Sequence, residues 1–309
     1  MTDAAQSSPS HRRIEILDAL PPGTARDILA LLEEAAEHDG QWAVSEQGRL
    51  NLRGGERPGV RHLLVYLGDE LAGYAQIEDT DPVEPPAAEL LIRPAHRTHG
   101  HGRALGRALL DATGKRLRVW AHGGHPSARH LAVQLGLNLF RELRQLRRPL
   151  DDGPALPEPV IPAGISVRTF VPGQDDAAWL AVNAAAFAHH PEQGALTQRD
   201  LDDRKAEPWF DPEGFFLAVR GEKVVGFHWT KVHRQDRLGE VYVVGVHPDE
   251  QDSGLGKALT AIGLRHLADD EKLPTAMLYV DADNIPAVTV YERLGFTTHE
   301  VDLMYRTDS

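Results

Sequence analysis

Two short stretches of the chain carry the residue types and spacing to hold an anion. Arg97-x-x-Gly100-x-Gly102 and Gln251-x-x-Gly254-x-Gly256 each follow an apolar run and open a helical one. Glycines there remove the Cβ atoms that would screen backbone N–H groups, and a helix start adds the positive end of its dipole, so a pyrophosphate is the natural guest. A bare strand-to-helix turn is the competing reading, and recurrence of the pattern at matched places weakens it. Neither copy is a nucleotide-hydrolysing P-loop. Lys257 follows Gly256, but no Ser or Thr comes after it and no Gly stands four residues before Gly254. Nor is either a dinucleotide fingerprint: Gly256 is followed by Lys257, Ala258 and Leu259, and Gly100, Gly102 and Gly106 miss the last spacing by one. Glu240, at the head of the run Glu240–Val244, and Tyr291, in a later helical run, are the residue types that take and give a proton. Their bland alternatives are a strand-end surface charge and an aromatic packed beside Leu294 and Phe296.

The two Gly-rich turns resemble the acyl-CoA pyrophosphate signature of the GNAT superfamily of acyltransferases. The second copy matches better, because Asn284-x-x-Ala287-x-x-x-Tyr291-x-x-x-Gly295-Phe296 is also similar to that superfamily's late strand-to-helix segment. The resemblance implies acetyl-CoA as co-substrate. It places the pantetheine arm along the backbone of Val244, Gly245 and Val246, where Gly245 suits a bulge or a close approach. It gives the rest of the ligand to Gln251, Asp252, Ser253, Gly254, Leu255, Gly256, Lys257 and Asn284, with Leu90, Leu91, Ile92, Arg97, Gly100 and Gly102 as the first-half set. Acetyl transfer to an amine needs a neutral amine, donors for an oxyanion and a proton for the leaving thiolate. Glu240 suits the base, Tyr291 the acid, and the N–H of Gly245 or Val246 the oxyanion donor. Counted residue by residue, the first half has Ala132 where the second has Tyr291, His125 where it has Asn284 and Pro86 where it has Glu240. The first half is therefore expected not to catalyse, with Glu89 the one carboxylate that argues otherwise.

The elements that must position these residues come in two sets. Ile14–Ile16 and a helical run Ala25–Glu37 match Ile165–Val167 and a run Asp175–Phe187. The hairpin pair Leu63–Tyr66 and Leu71–Tyr74 matches Phe215–Ala218 and Val224–Phe227. Each half then has a strand, the Gly-rich turn, a helix, another strand, another helix and a Leu-Gly pair. A repeat of this length means two domains of one fold, not a solenoid. The fold class expected is α+β, two tandem GNAT-like domains, each a mixed, mostly antiparallel sheet flanked by helices. The boundaries expected are 1–150, a linker at 151–164 where PLDDGPALPEPVIPAG loses all periodicity, and 165–309. A chain of 309 residues is comfortable for two such cores.

Composition narrows the partners. Asp plus Glu exceed Lys plus Arg by 46 to 33, and the resulting formal charge of -13 argues against a nucleic-acid footprint. No apolar stretch has membrane-spanning length and the first residues do not read as a secretory signal, so a cytoplasmic location is the default expectation. Absence of cysteine excludes disulfides and thiolate chemistry. The 16 histidines, with His96, His99 and His101 by the first turn and His189, His190, His228 and His233 in the second half, include no His-x-x-x-His helix with a nearby acid, so no metal is assigned. A monomer is expected by default.

Longer strings extend the resemblance to the tandem-domain acetyltransferases within that superfamily. They include His190–Gly194, Trp209–Pro212, Gly226–His233, Gly239–Tyr242, Tyr279–Asp281, Trp120–Gly123 and Arg147–Leu150. This likeness implies a small-molecule substrate, the cysteinyl amine of a cysteine–glucosamine–inositol conjugate, and contacts to it from Glu46, Glu192, Lys231, Glu240 and Tyr279. Carboxylates and a Lys suit a hydroxyl-rich ammonium compound. An acetyltransferase for another small-molecule or peptide amine, and a non-catalytic acyl-CoA sensor, remain alternatives. A base and an acid around the turn separate the sensor from the enzyme.

Overall fold

A computed structural model of the chain describes residues 12–53, 55–81, 84–189 and 191–308. In chain order the first half forms β1 (Arg12–Leu17), α1 (Thr24–Asp39), α2 (Glu46–Leu50), β2 (Val60–Leu67), β3 (Glu70–Glu78), β4 (Ala87–Ile92), α3 (His101–Ala112), β5 (Arg118–Ala121), α4 (Pro126–Leu135) and β6 (Asn138–Pro149). The second half forms β7 (Ser166–Thr169), α5 (Asp176–Ala186), α6 (Pro191–Gly194), α7 (Gln198–Lys205), β8 (Phe215–Arg220), β9 (Lys223–His233), β10 (Leu238–Val246), α8 (Leu255–Arg265), β11 (Thr275–Asp281), α9 (Ile285–Arg293) and β12 (Thr297–Arg306). The expected run Ala25–Glu37 and both hairpins fall inside these elements, and the run Asp175–Phe187 is α5 with its two capping residues.

By contacts the chain divides into two units. One holds the described residues up to Leu143 together with those from Val301 on, and the other holds Arg144–Glu300. The division departs from a cut at the Pro-rich segment because the last strands are exchanged. In the first unit the order is β1-β2-β3-β4-β5, and β5 then pairs antiparallel with the end of β12, Leu303 opposite Ala121 and Arg306 opposite Arg118. In the second unit β7-β8-β9-β10-β11 is completed by the end of β6. Each half thus donates its last strand to the other half's sheet. Among the ladders within β1–β5 and within β7–β11, only β4–β5 and β10–β11 are parallel, which makes each set of strands mixed and mostly antiparallel.

Packing follows the sequence periods. In α1 the buried residues Ile28, Leu31, Leu32 and Ala35 recur at helical spacing, and Gly40 in the left-handed region ends the helix. They meet Leu64, Tyr74 and Leu91 of the sheet, and truncating one such leucine to alanine costs about 2–5 kcal/mol. β3 and β9 are buried on both faces because helices cover both sides. On one face of the second unit Trp179 from α5 meets Phe215, Phe227 and Trp229 edge-on, with centroids 5.5–5.7 Å apart.

The parallel pairs set up the site. β4 and β5 pair at Ala87 opposite Arg118 and Ala88 opposite Val119, and there the ladder ends. β10 and β11 pair from Leu238 opposite Thr275 to Glu240 opposite Met277, and then part. Each unit therefore has a strand whose far half, Glu89–Ile92 or Val241–Val246, has lost its partner on one side and runs toward a Gly-rich turn.

Candidate active site

The two turns have the same backbone. Thr98 (φ 66°) and Gly100 (φ 79°) lead into α3, and Asp252 (φ 61°) and Gly254 (φ 88°) lead into α8. Left-handed residues in this arrangement curl successive N–H groups toward one point. No side chain of Gly100 or Gly254 itself can cap the helix that follows, and apart from Leu255 N, which Ser253 accepts from, the first-turn N–H groups remain to be satisfied from outside. In the second turn Ser253 braces the loop: its Oγ donates to Glu250 O at 2.6 Å and accepts from Leu255 N at 3.3 Å. A Cβ at Gly254 meets nothing within 4 Å, and one at Gly256 meets Val246 Cγ2 at 3.6 Å. Conformation, not crowding, requires the first of these glycines.

In the second unit Val232, Val241, Ala276, Leu278 and Val280 belong to the core under α8 and α9. Alternation along the strands then puts Lys231, His233, Glu240 and Tyr279 on the opposite face. Glu240 stands where β10 and β11 part, opposite Lys231 on β9, and is only 6 % exposed. His233 Nε2 lies 2.7 Å from its Oε2. Lys231 Nζ sits 4.5 Å from the Trp209 ring centroid and 5.2 Å from that of Tyr242. Tyr242 is fixed in turn, its hydroxyl accepting from Arg204 Nε at 2.9 Å. Tyr279 is half-exposed; its hydroxyl accepts from Gln145 Nε2 at 2.8 Å, and Gln145 Oε1 accepts from Arg147 Nε at 2.8 Å.

The β9–β10 register shifts between Val241 and Val243, making Tyr242 the bulged residue. Of the two alternatives expected at Gly245, the bulge lies three residues away and the close approach is at Gly245 itself. Gly245 is in regular pairing with Phe227, and a Cβ there would meet Phe227 Cε1 at 2.7 Å and Phe187 Cε2 at 3.1 Å. The bulge also corrects the residue count between halves. Gly73 opposite Ile92 matches Gly226 opposite Val246, so Glu78 opposite Ala87 matches Lys231 opposite Glu240. Glu240 has its counterpart in Ala87, not Pro86.

Tyr291 lies in α9 against the core, edge-on to Phe296 at 5.9 Å. Among the described residues its phenol makes no hydrogen bond, and desolvation pushes it up to about 12. It stays protonated across the neutral range. Asn284 caps α9, its Oδ1 accepting from Ala287 N at 3.2 Å. Glu46 opens α2 in the first unit. Glu192 falls in α6, its side chain outside the described structure, and His190 is outside the described residues.

The first unit has a cavity of about 730 Å³ where β4 and β5 part. Leu90, Leu91, Ile92, Arg97, Gly100 and Gly102 all line it. Arg97 is already engaged: Nη1 and Nη2 reach the Asp39 carboxylate at 2.6 and 2.7 Å, and Nε donates to Ile92 O at 3.0 Å. That bond holds the Asp39 carboxyl below its ordinary range. Glu89 is engaged too. His122 Nε2 is 2.8 Å from Glu89 Oε1 and Nδ1 is 3.0 Å from Asp302 Oδ2, while Ser45 N and Gly123 N donate to the two carboxylates. Desolvation alone would depress the imidazole, but its bonds to Asp302 and Glu89 and both negative charges outweigh that and raise it to about 10. Neither carboxylate is free to act as a base. Sequence offered no signal for this triad, whose members are 33 and 180 residues apart.

The histidines do not converge. His96 pairs with Glu70 and His99 with the Arg97 carbonyl, and His228 is buried with Nδ1 2.7 Å from Leu259 O. Among the described residues no group of three or more His, Cys, Asp or Glu is placed to hold a metal ion, and no helix is long and apolar enough to cross a membrane.

The acetyltransferase (GNAT) family model matches residues 25–137 and again 183–296. The chain is 74% identical over 298 residues to a mycothiol acetyltransferase of Streptomyces avermitilis, covering 96% of each. It is 52% identical over 299 residues to one of Thermobispora bispora, covering 95% of this chain and 99% of that one. Among solved structures, a tandem GNAT protein from the clavulanic acid biosynthesis pathway superposes with a TM-score of 0.71 at 19% identity, covering 96% of this chain and 98% of that one. That likeness supports the tandem α+β fold.

Proposed function

The chain belongs to the acetyltransferase (GNAT) family, and we propose that it moves the acetyl group of acetyl-CoA onto the cysteinyl amine of a cysteine–glucosamine–inositol conjugate, forming mycothiol. The observation that carries this reading is the buried carboxylate Glu240 at the parting of β10 and β11, on one sheet face with Lys231 and Tyr279. Likeness along the whole chain to mycothiol acetyltransferases supports the choice of amine.

The residues divide the work as follows. The turn Gln251–Lys257 receives the pyrophosphate on its N–H groups. Val244–Val246 offers its unpaired edge to the pantetheine arm. His247 N–H donates to Val225 O, so alternation turns the Val246 N–H the other way, into the gap, which favours Val246 over Gly245 as the oxyanion donor. Glu240 takes the ammonium proton, freeing the nitrogen lone pair to attack the thioester carbon. The C–S bond breaks as the tetrahedral centre collapses, Tyr291 supplies the proton to the departing sulfur, and the second proton shed by the nitrogen restores the phenol. Lys231, Tyr279, Glu192 and Glu46 are the proposed substrate contacts. The first unit keeps the cradle and lacks both base and acid, so it binds acyl-CoA, if at all, without turning it over.

Mass spectrometry of the products formed from acetyl-CoA tests the reading. The cysteinyl conjugate is expected to gain one acetyl group on its amine. A glucosamine–inositol lacking the cysteine is expected to gain none, and preferential acetylation of an unrelated amine would replace this substrate assignment.

A further inference from the structure

We infer that His233 is the positioning residue of Glu240. This rests on the reading of Glu240 as the base and adds a residue to it. The two side chains share a sheet face on neighbouring strands, with His233 opposite Leu238 and Glu240 opposite Lys231, so the imidazole reaches diagonally across the ladder. Its Nε2 lies 2.7 Å from Glu240 Oε2. The carboxylate is 8 % exposed as a side chain and the imidazole 28 %, so one partner is buried and the other touches solvent.

A buried carboxylate without a donor is costly and free to rotate. An Nε2–H bond to Oε2 removes both problems. It fixes the plane of the carboxylate, leaving Oε1 to receive the proton from the substrate ammonium. The proton balance is simple. Nitrogen loses two protons between ammonium and amide: the first passes to Oε1 and from Glu240 to water, the second leaves as the tetrahedral centre collapses and replaces the proton Tyr291 gives to sulfur, and His233 keeps its own.

Other groups bear on the pair. Lys231 stands across the ladder, with Arg204 of α7 bound through the Tyr242 hydroxyl. Tyr279 shares the face from β11, and Arg234, next to His233, is held by Glu271 at 3.3 Å. Changing His233 alone leaves all of these in place, so a difference between variants at that position that keep or lose a donor belongs to the bond with Glu240.

The test compares full-length His233→Ala, His233→Gln and Glu240→Gln with the parent between about pH 5.5 and 8.5, using acetyl-CoA and the cysteinyl conjugate. His233→Ala is expected to lower kcat by about 10–100-fold with a small change in KM, by analogy with other partners that orient a reacting group. His233→Gln keeps a donor that cannot gain a proton. It is expected to recover most of the activity across that pH range. Thermal melting confirms that each variant folds. Equal loss in the Ala and Gln variants overturns the assignment. Full activity in Glu240→Gln overturns the base itself, and activity in His233→Ala equal to the parent overturns only the positioning role.

Discussion

The two units bend the chain through the same left-handed pair, Thr98 and Gly100 in one and Asp252 and Gly254 in the other, ahead of the same kind of helix. Both open a gap where two parallel strands part. Both place a carboxylate and an imidazole close to that gap. In the first unit the imidazole is clamped between Glu89 and Asp302 and held charged, whereas in the second a single carboxylate, Glu240, meets a ring with one side toward solvent. A second acid on the far side of the ring turns a pair into an ion triad, and only the pair is proposed to react. Backbone likeness is therefore shared by the units, and chemistry is decided by which carboxylate is left available.

The sharpest way to break this contrast is to exchange Glu240 for Gln. kcat/KM is expected to fall about 10²–10⁴-fold, most at low pH where the amine is protonated, and a steady-state pH profile checks it. Next, His122→Gln leaves Glu89 and Asp302 buried without their cation and is expected to cost about 3–5 kcal/mol of stability. Because folding raises the ring from 6.5 to about 10, its contribution is complete below pH 6.5 and is lost as pH rises through about 10. The Tm difference from the parent should narrow across that interval. Tyr291→Phe is expected to slow turnover about 10²-fold. With the phenol pushed up to about 12, the defect should persist from acid to mildly alkaline pH and grow where solvent protons are scarce.

A gentler pair of changes compares the turns directly. Gly254→Val forces a side chain into the left-handed region at a folding cost of about 1–2 kcal/mol and is expected to raise the CoA dissociation constant about tenfold, by isothermal titration, through lost access to the N–H cradle. Gly100→Val is the matched change in the first unit. If it silences transfer in a folded protein while Gly254→Val stays active, catalysis belongs to the other unit. The smallest effect is expected from Arg97→Ala, below about 1 kcal/mol. Folding lowers the Asp39 carboxyl from 3.8, so that contribution is present above pH 3.8 and is lost as the pH falls, and thermal melts in acid should show the variant and parent converging.

The turns were legible in the sequence because a left-handed residue before a helix calls for glycine, and Gly100 and Gly254 stand where that demand falls. The apolar face of α1 and the two hairpins were legible for the same reason, a period that local chemistry imposes. α7 also carries a local signal, the Thr197–Asp200 capping box, which apolar periodicity passes over because that helix is mostly polar. The rest depends on where ladders lie. One bulged residue, Tyr242, moves the counterpart of Glu240 from Pro86 to Ala87, and no spacing rule announces it. The clamp on His122 needs a residue from the end of the chain. The same holds for the exchange of last strands, since β6 and β12 read alike and only their neighbours tell which sheet they complete.

That exchange bears on how the protein is born. The first unit's sheet needs Leu303–Arg306 beside β5, and its buried imidazole needs Asp302. Both leave the ribosome after the whole of Arg144–Glu300 has been made, a delay on the order of ten seconds at ordinary synthesis rates. Through that delay the earliest-made half keeps an open strand edge and an unclamped histidine, an opening for chaperones or for mispairing with another nascent chain. The second unit receives its borrowed strand early, because β6 precedes it. Translation order therefore favours completing the unit of Glu240 and Tyr291 first, and Asp302–Arg306, made after it, close the unit whose other strands were made before it.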